Sequence, residues 1–325
     1  MKKDDKILEL FKKNRDSFLS GEEVSQKLGI SRQALWKHIE KLREAGYAIE
    51  AVPHLGYKLL QVPDKMLVSE IKWNLKTKVI GAEIHFYESV GSTNNVAYKL
   101  AEQGAREGTI AIANEQTKGK GRLGRSWVSL AEDGIYLSCI LRPDILPNEV
   151  SKITLAAAVG VVKAVREFSG LEALIRWPND ILISDRKTAG ILTELKGESD
   201  RIDFVILGIG INVNTPRRVL PAGGTSLKEE SKSSADFSRV ELVKTLLKAL
   251  EAEYVKFGKT GFSSVRNELK SYSCALGRYV SVTALGTSTK FSGKAVDINE
   301  NGALVVRLDD GSQRTFLSGD VTLVR

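Results

Sequence analysis

A chain of 325 residues with 42% hydrophobic content is long enough to bury sizeable cores in two or three domains. Apolar runs such as "ITLAAAVGVVKAV" from Ile153 are broken by Lys163, well short of the roughly 20 residues of a membrane span; the charged start "MKKDDKILELFKK" lacks the apolar segment of a signal peptide, so a cytoplasmic protein with no membrane partner is expected. The net charge of +8 is spread thinly along the chain, which suggests anionic partners and identifies none.

The first 60 residues read as three short helices and a hairpin. "DDKILELFKKN" carries Ile7, Leu8 and Phe11. "SGEEVSQKLG" opens on Ser20 with Glu23 three residues later, a capping box, and ends on Gly29. "SRQALWKHIEKLREAG" opens on Ser31 and closes on Gly46, with Leu35, Ile39 and Leu42 on one stripe and Arg32, Gln33, Trp36 and Lys37 on the other. "YAIEAV" and "GYKLL" alternate as two strands around Pro53, His54 and Leu55. Two helices joined by a tight glycine turn are the pattern of a helix-turn-helix, with the hairpin as its wing. Arg32 and Gln33 have the groups to read base edges, and Lys37 and Lys41 to meet phosphates; a solvated helix of an interaction domain has the same pattern.

Pro63 and Asp64 form a plausible junction. Beyond them "AEIHFYE", "GTIAIAN", "GIYLSCIL", "ALIRW", "DILIS", "KTAGILTEL" and "DFVILGIGINV" read as strands, with helices near 94 to 104, 149 to 169, 238 to 257 and 261 to 272: a mixed α/β domain. "RYVSVTALG", "TKFSGKAVDIN", "GALVVRLDDG" and "RTFLSGDVTLV" are short strands divided by Gly, Asn and Asp turns, consistent with a small β-barrel. Cys139 and Cys274 have no metal-ligand spacing and read as buried small hydrophobes, and His38, His54 and His85 show no mutual spacing suited to a metal or a triad.

"QTKGKGRLGRSWVS", Gln116 to Ser129, holds the spacing G-x-G-x-x-G. A dinucleotide fold needs that turn to feed a helix, whereas here it leads into a strand, and no V-A-I-K, H-R-D or D-F-G follows for a kinase. What remains is a loosely ordered loop with Lys120, Arg122 and Arg125 available to surround an anion. Ordering it costs roughly 1 kcal/mol per residue, so it should close when charge-assisted hydrogen bonds compensate, as a phosphate-bearing ligand would supply. A basic loop touching nucleic acid is the alternative.

"GKGRLGRSW" resembles the adenylate-binding motif of biotin protein ligases, and "GSTN", "RWPNDILI", "RKTAGILTE" and "GIGINVN" match that family's other signatures in the same order. With the helix-turn-helix, the chain is similar to the bifunctional biotin-protein ligase and biotin operon repressor of bacteria from Ile7 to Val324. Lys120 stands where the family usually has Arg, which keeps the charge and loses the planar fork. The resemblance implies an α+β chain: a winged helix-turn-helix over 1–63, a catalytic domain over 64–273 and an SH3-like β-barrel over 274–325. It implies that biotin carboxylate attacks the α-phosphate of ATP, with Mg²⁺, to give biotinyl-5'-AMP and pyrophosphate. A lysine amine of biotin carboxyl carrier protein, from acetyl-CoA carboxylase or pyruvate carboxylase, then takes the acyl group and releases AMP. The adenylate would also act as corepressor, promoting a homodimer on operator DNA. A non-catalytic ligand-sensing repressor and a lipoate ligase are the rivals.

Residue by residue, Ser92, Thr93 and Asn94 match the biotin-contact segment, although Ser92 or Thr93 would equally cap the next helix. Gln116, Lys120, Gly121 and Arg122 match further biotin contacts. Arg122, Arg125, Trp127 and Asn212 are expected at the adenylate, where Trp127 packs on the adenine side or fastens the loop. Lys187 is expected to face the biotin carboxylate and the α-phosphate as the principal catalytic group, with Arg122. Asp180 is expected to bind Mg²⁺ or polarise a partner; Asn179-Asp180 is also a common turn pair. Gly190, Gly208 and Gly210 fit strands that a ligand or backbone approaches closely. Arg32, Gln33, Trp36, Lys37 and Lys41 are the expected DNA contacts.

Overall fold

The computed structural model describes residues 3–284 and 289–324. It divides into two compact units, residues 1–73 and 74–325. The expected catalytic domain and C-terminal β-barrel both fall within the second unit.

In the first unit, α1 (Lys3–Lys13), α2 (Gly21–Leu28) and α3 (Arg32–Glu44) precede β1 (Ala48–Val52), β2 (Gly56–Gln61) and the short α4 (Val68–Lys72). The stripes of the three helices meet in one core, where Ile7, Phe11, Leu35, Ile39 and Leu59 are buried. Ser31 caps α3 by accepting from the Ala34 N–H. The capping box at α2 does not form. Ser20 accepts from the Glu22 N–H, while Glu23 turns to Lys27 one turn on, 2.6 Å away. Gly29 ends α2 in the left-handed region, at φ 60°. The "VSEIK" helix, too short to show periodicity, is fastened by Glu70, which is buried and paired with Lys12 at 2.5 Å and with the Tyr47 hydroxyl.

In the second unit, β3 (Ile84–Val90), α5 (Thr93–Glu102), β4 (Ile110–Gln116), β5 (Gly134–Leu141), α6 (Val150–Ser169), β6 (Leu174–Arg176), β7 (Asp180–Ile183), β8 (Arg186–Gly197) and β9 (Ile202–Asn212) follow in turn. Then come α7 (Leu227–Glu230), α8 (Arg239–Thr260) and α9 (Ser263–Ser271). Seven strands pair in the order β3-β4-β5-β9-β8-β7-β6, antiparallel except for β3 with β4. Alternation along β9 explains the layering. Leu207 lines one apolar space with Ile153, Ala156 and Leu250, and so faces α6 and α8. On the opposite face Phe204 and Ile206 pack with Ala97 and Ala101 of α5. That face then continues as Gly208, Gly210 and Asn212, and the apolar layer gives way to an open surface. Lys163, which interrupts the apolar run of α6, reaches the buried Glu253 at 2.5 Å.

β10 (Tyr279–Ala284), β11 (Lys290–Ile298), β12 (Leu304–Leu308), β13 (Gln313–Phe316) and β14 (Gly319–Leu323) form an antiparallel sheet in the order β13-β12-β11-β10-β14. The last stretch, expected as a single strand, is two, because Leu317 and Ser318 interrupt it. Leu285 and Gly286 of the expected "RYVSVTALG" strand lie outside the described residues. The Trp177 indole N–H donates to the Gly302 carbonyl at 2.9 Å, and Arg266 holds Asp297 at 3.0 Å, so this sheet is docked on the larger one.

Candidate functional site

The parallel pair β3 and β4 ends side by side, which sets the start of α5 next to the glycine loop: Thr117 and Lys118 donate backbone N–H groups to Val90 and Gly91. Ser92 stands at the N-cap of α5, yet its hydroxyl makes no capping bond. Thr93 and Asn94 are buried and joined in a polar chain across the floor. The Thr93 backbone N–H and hydroxyl donate to Gln116 Oε1 at 2.8 and 3.1 Å. Gln116 Nε2 donates to Ser129 Oγ at 2.9 Å. The Ser138 hydroxyl lies 2.8 Å from Thr93 Oγ1 and 2.6 Å from Asn94 Oδ1, and its one proton serves one of them. Asn94 Nδ2 donates to Glu194 Oε2 at 2.6 Å, and the other oxygen of Glu194 takes Lys120 Nζ at 3.2 Å. Gly208 is required beneath this chain, since a Cβ there would stand 2.1 Å from Asn94 Oδ1.

The glycine loop is ordered by bonds the protein itself supplies, which differs from the loose loop expected. Gly121 and Arg125 bond across a tight turn, and Trp127 donates its backbone N–H to Gly119 at 2.9 Å. Arg122 reaches Asn179 Oδ1 at 2.7 Å and Ser318 Oγ at 3.1 Å; Arg125 pairs with Asp320. Burial pushes the Arg122 pKa down, opposed by the nearby Asp320 and Asp180 carboxylates. Arg125 is exposed and turned toward the C-terminal sheet rather than into the cleft. The Trp127 indole lies on the sheet where Gly190 and Gly210 make room, with a Cβ at Gly210 only 2.6 Å from its ring. Its Nε1–H is buried and has no hydrogen-bond partner among the described residues.

Lys187 Nζ lies 2.5 Å from Asp180 Oδ1 and 5.4 Å from the Trp127 ring centroid. The second oxygen of Asp180 takes Arg176 at 2.7 Å, so one carboxylate serves two cations and a net positive charge remains. With both oxygens engaged, Asp180 does not have the free carboxylate expected of a metal ligand, and the described residues hold no group of three His, Cys, Asp or Glu that could bind a metal.

Two open spaces meet here. One is lined by Ser92, Thr93, Asn94, Gln116, Lys120, Gly121 and Arg122. The other is lined by Arg176, Asn212 and Leu220 to Gly224. Lys187 and Trp127 form part of both walls. Asn212 therefore belongs to the second space, where its Nδ2 donates to the Thr225 carbonyl. Sequence reasoning assigned no role to Ser138, which lies on a strand with no motif of its own, nor to Ser129, Glu194, Arg176 and Asn179, which stood in the quoted "QTKGKGRLGRSWVS", "RKTAGILTE" and "RWPNDILI".

In the first unit Arg32, Gln33, Trp36 and Lys37 share the exposed side of α3, with Trp36 53% exposed. Arg32 pairs with Glu22. Lys41, though exposed, is turned toward Asp4 of α1 at 3.0 Å, where His38 also binds. Arg43 holds the Ile49 carbonyl and so braces the hairpin. Cys139 and Cys274 are buried and free; burial raises both thiols, Cys274 to about 11. Among the described residues no helix is long and apolar enough to cross a membrane.

Comparison with known proteins agrees with this geometry. Residues 4–58 match an HTH domain, 86–212 the Biotin/lipoate A/B protein ligase family, and 275–324 the Biotin protein ligase C terminal domain. The chain is similar to the Bifunctional ligase/repressor BirA of Bacillus subtilis (strain 168), 39% identical over 98% of this chain and 97% of that one. It is 29% identical to the protein of the same name from Escherichia coli (strain K12), over 94% of this chain and 93% of that one. Among solved structures, the biotin protein ligase from Aquifex aeolicus in complex with biotin and ATP matches with a TM-score of 0.64 and 31% identity, over 75% of this chain and 99% of that one. The chain belongs to the family of bifunctional biotin-protein ligases and repressors.

Proposed function

We propose that this protein is an ATP-dependent ligase that makes biotinyl-5'-AMP and passes biotin to a lysine of biotin carboxyl carrier protein, and that with the adenylate bound it represses biotin-related operons as a DNA-bound dimer. The observation that carries the reading is the common wall. Lys187 and Trp127 border both spaces, one floored by the neutral Thr93, Asn94 and Gln116, suited to a cyclic urea, and the other bordered by Arg176, whose charge suits an anionic nucleotide.

Biotin lies in the first space with its ring on Thr93, Asn94 and Gln116 and its carboxylate toward Lys187; ATP lies in the second beside Arg176 and Asn212. A carboxylate oxygen attacks the α-phosphorus, the new acyl-phosphate bond forms, and pyrophosphate leaves with its electron pair. The shared Asp180 holds Lys187 and Arg176 apart while leaving the junction net positive, which favours the charge that accumulates as the two anions meet. Arg122 closes the loop over the adenylate, with Lys120, Gly121 and Arg125 in support, and limits its loss to water. The amine of the acceptor lysine then attacks the acyl carbon and AMP leaves.

The residues present do not fit a protein-held Mg²⁺, because the carboxylate at the site is already shared by two cations. Repression falls to the outer face of α3, through Arg32, Gln33, Trp36 and Lys37. Residues 1–63 would bind DNA, 64–273 catalyse and 274–325 support the loop. Ligand, dimer and DNA binding are then linked.

A polar floor does not suit the apolar ring of lipoate, which disfavours that rival. The test incubates the protein with ATP, Mg²⁺, labelled biotin and a biotin carboxyl carrier domain. Label is expected on the carrier and unaffected by excess lipoate. An unlabelled carrier favours a non-catalytic repressor, and displacement by lipoate a lipoate ligase.

A further inference from the structure

Glu194 lies on β8 and closes the quoted "RKTAGILTE" stretch, which by itself gives it no role. Its carboxylate is shared. Oε1 accepts from Lys120 Nζ at 3.2 Å and Oε2 from Asn94 Nδ2 at 2.6 Å. An ionised carboxylate can only accept, so the Asn94 amide must turn its NH2 toward Glu194 and its oxygen inward. The oxygen then stands over Gly208, within 2.6 Å of the Ser138 hydroxyl. That oxygen and Thr93 Oγ1 compete for the one Ser138 proton, and Asn94 and Gly208 both line the cleft.

We propose that Glu194 is a positioning residue that sets the hydrogen-bond polarity of the cleft floor, making Asn94 an acceptor for a ligand N–H, and that this is how the site selects a cyclic urea. The inference rests on the biotin reading above. The carboxylate is needed because both neighbours are donors. An uncharged amide at this position has one acceptor and one donor end. Lys120 claims the acceptor, which leaves an NH2 facing Asn94. Asn94 must then flip, presenting its own NH2 inward against the Ser138 hydroxyl and the ligand. The chain Lys120–Glu194–Asn94 thus couples the glycine loop to the recognition of the ring.

The test measures, by titration calorimetry on the full chain, the affinities for biotin and for the two cyclic-carbamate analogues in which oxygen replaces one or the other ureido N–H. Wild-type protein is expected to bind biotin about tenfold more tightly than the analogue lacking the N–H that meets Asn94, the scale of one buried hydrogen bond. Glu194→Gln, isosteric at a side chain 34% exposed, should collapse that preference to about twofold. Lys120→Met added to Glu194→Gln should restore it, since the new amide is then free to turn its oxygen to Asn94. Glu194→Met, which only releases the amide, should weaken the preference, and it serves if the Gln variant melts abnormally. A wild-type preference in the Glu194→Gln protein overturns the proposal, as does a double variant that stays collapsed. Wild-type protein that binds no biotin overturns the ligase reading and this inference together; one that binds biotin with an unaltered preference in the variants overturns only the inference.

Discussion

Gly208 shows how little space the site leaves. Asn94 is pinned on both ends by Glu194 and Ser138, so the 2.1 Å approach of an added Cβ to its oxygen cannot be relieved by a simple rotation. Gly208→Ala is expected to weaken biotin binding by at least about tenfold, with a stability loss of roughly 1 to 3 kcal/mol from overpacking; calorimetry and thermal melting check both. Arg122 carries three hydrogen bonds from the loop, to Asn179, to Ser318 and to the Gly319 carbonyl. Arg122→Ala should leave the fold intact and speed the escape or hydrolysis of bound adenylate by about 10- to 100-fold, the loss of one charge-assisted bond. Retention of labelled adenylate on a filter measures this, and an unchanged half-life would remove Arg122 from the closing role. The same residues show what sequence reading can reach. Lys187, Arg122, Thr93, Asn94 and Gln116 were legible because motif positions carry their chemistry. Ser138 was not, and Glu194, although it ends the quoted "RKTAGILTE", showed no role there, because the part each plays arises only where β8 and β5 bring them under α5.

At the scale of elements, the periodic segments were readable and the short or shared ones were not. The 20 residues of α6 and the alternating β9 announce themselves by pattern. The five residues of α4 and the four of α7 are too short to do so. The order of the glycine loop was not legible either, because its partners Ser318 and Asp320 lie almost 200 residues away in sequence. In the recognition helix, Arg32→Ala is expected to weaken operator binding by about 1 to 3 kcal/mol and to relax base preference, while leaving biotin transfer unchanged. Lys37→Ala should lower affinity for all sequences alike and reduce the salt slope by about one. Gel-shift titrations at several salt concentrations separate the two; parallel loss of ligation with Arg32→Ala would show that the first unit does more than bind DNA.

Within the second unit, α9 and the smaller sheet are held together by an acid at their seam. Burial alone would raise the Asp297 carboxyl, but Lys270 and Arg266 bring it below its ordinary value. A folded pKa depressed in this way contributes stability above the unfolded value near 4, lost as pH falls through the folded value. Asp297→Asn is therefore expected to lower thermal stability at pH 7, by roughly 0.5 kcal/mol once solvent screening is allowed for, with the difference fading below about pH 4. An equal difference at pH 3 and pH 7 would exclude the ion pair as its source. This seam and the bond from Trp177 to Gly302 tie the C-terminal sheet to the rest of the second unit, contacts that no local pattern reveals.

The most direct test of the shared wall is biotin-dependent exchange of labelled pyrophosphate into ATP, compared between wild-type protein and Lys187→Met. Wild-type protein should exchange only when biotin is present, and the variant, still folded and still binding biotin, should lose the exchange by about 100-fold or more, as expected for the removal of a charge that stabilises a phosphoryl-transfer transition state. Exchange at the wild-type rate in Lys187→Met, or exchange without biotin, would contradict adenylate formation at the junction of the two spaces.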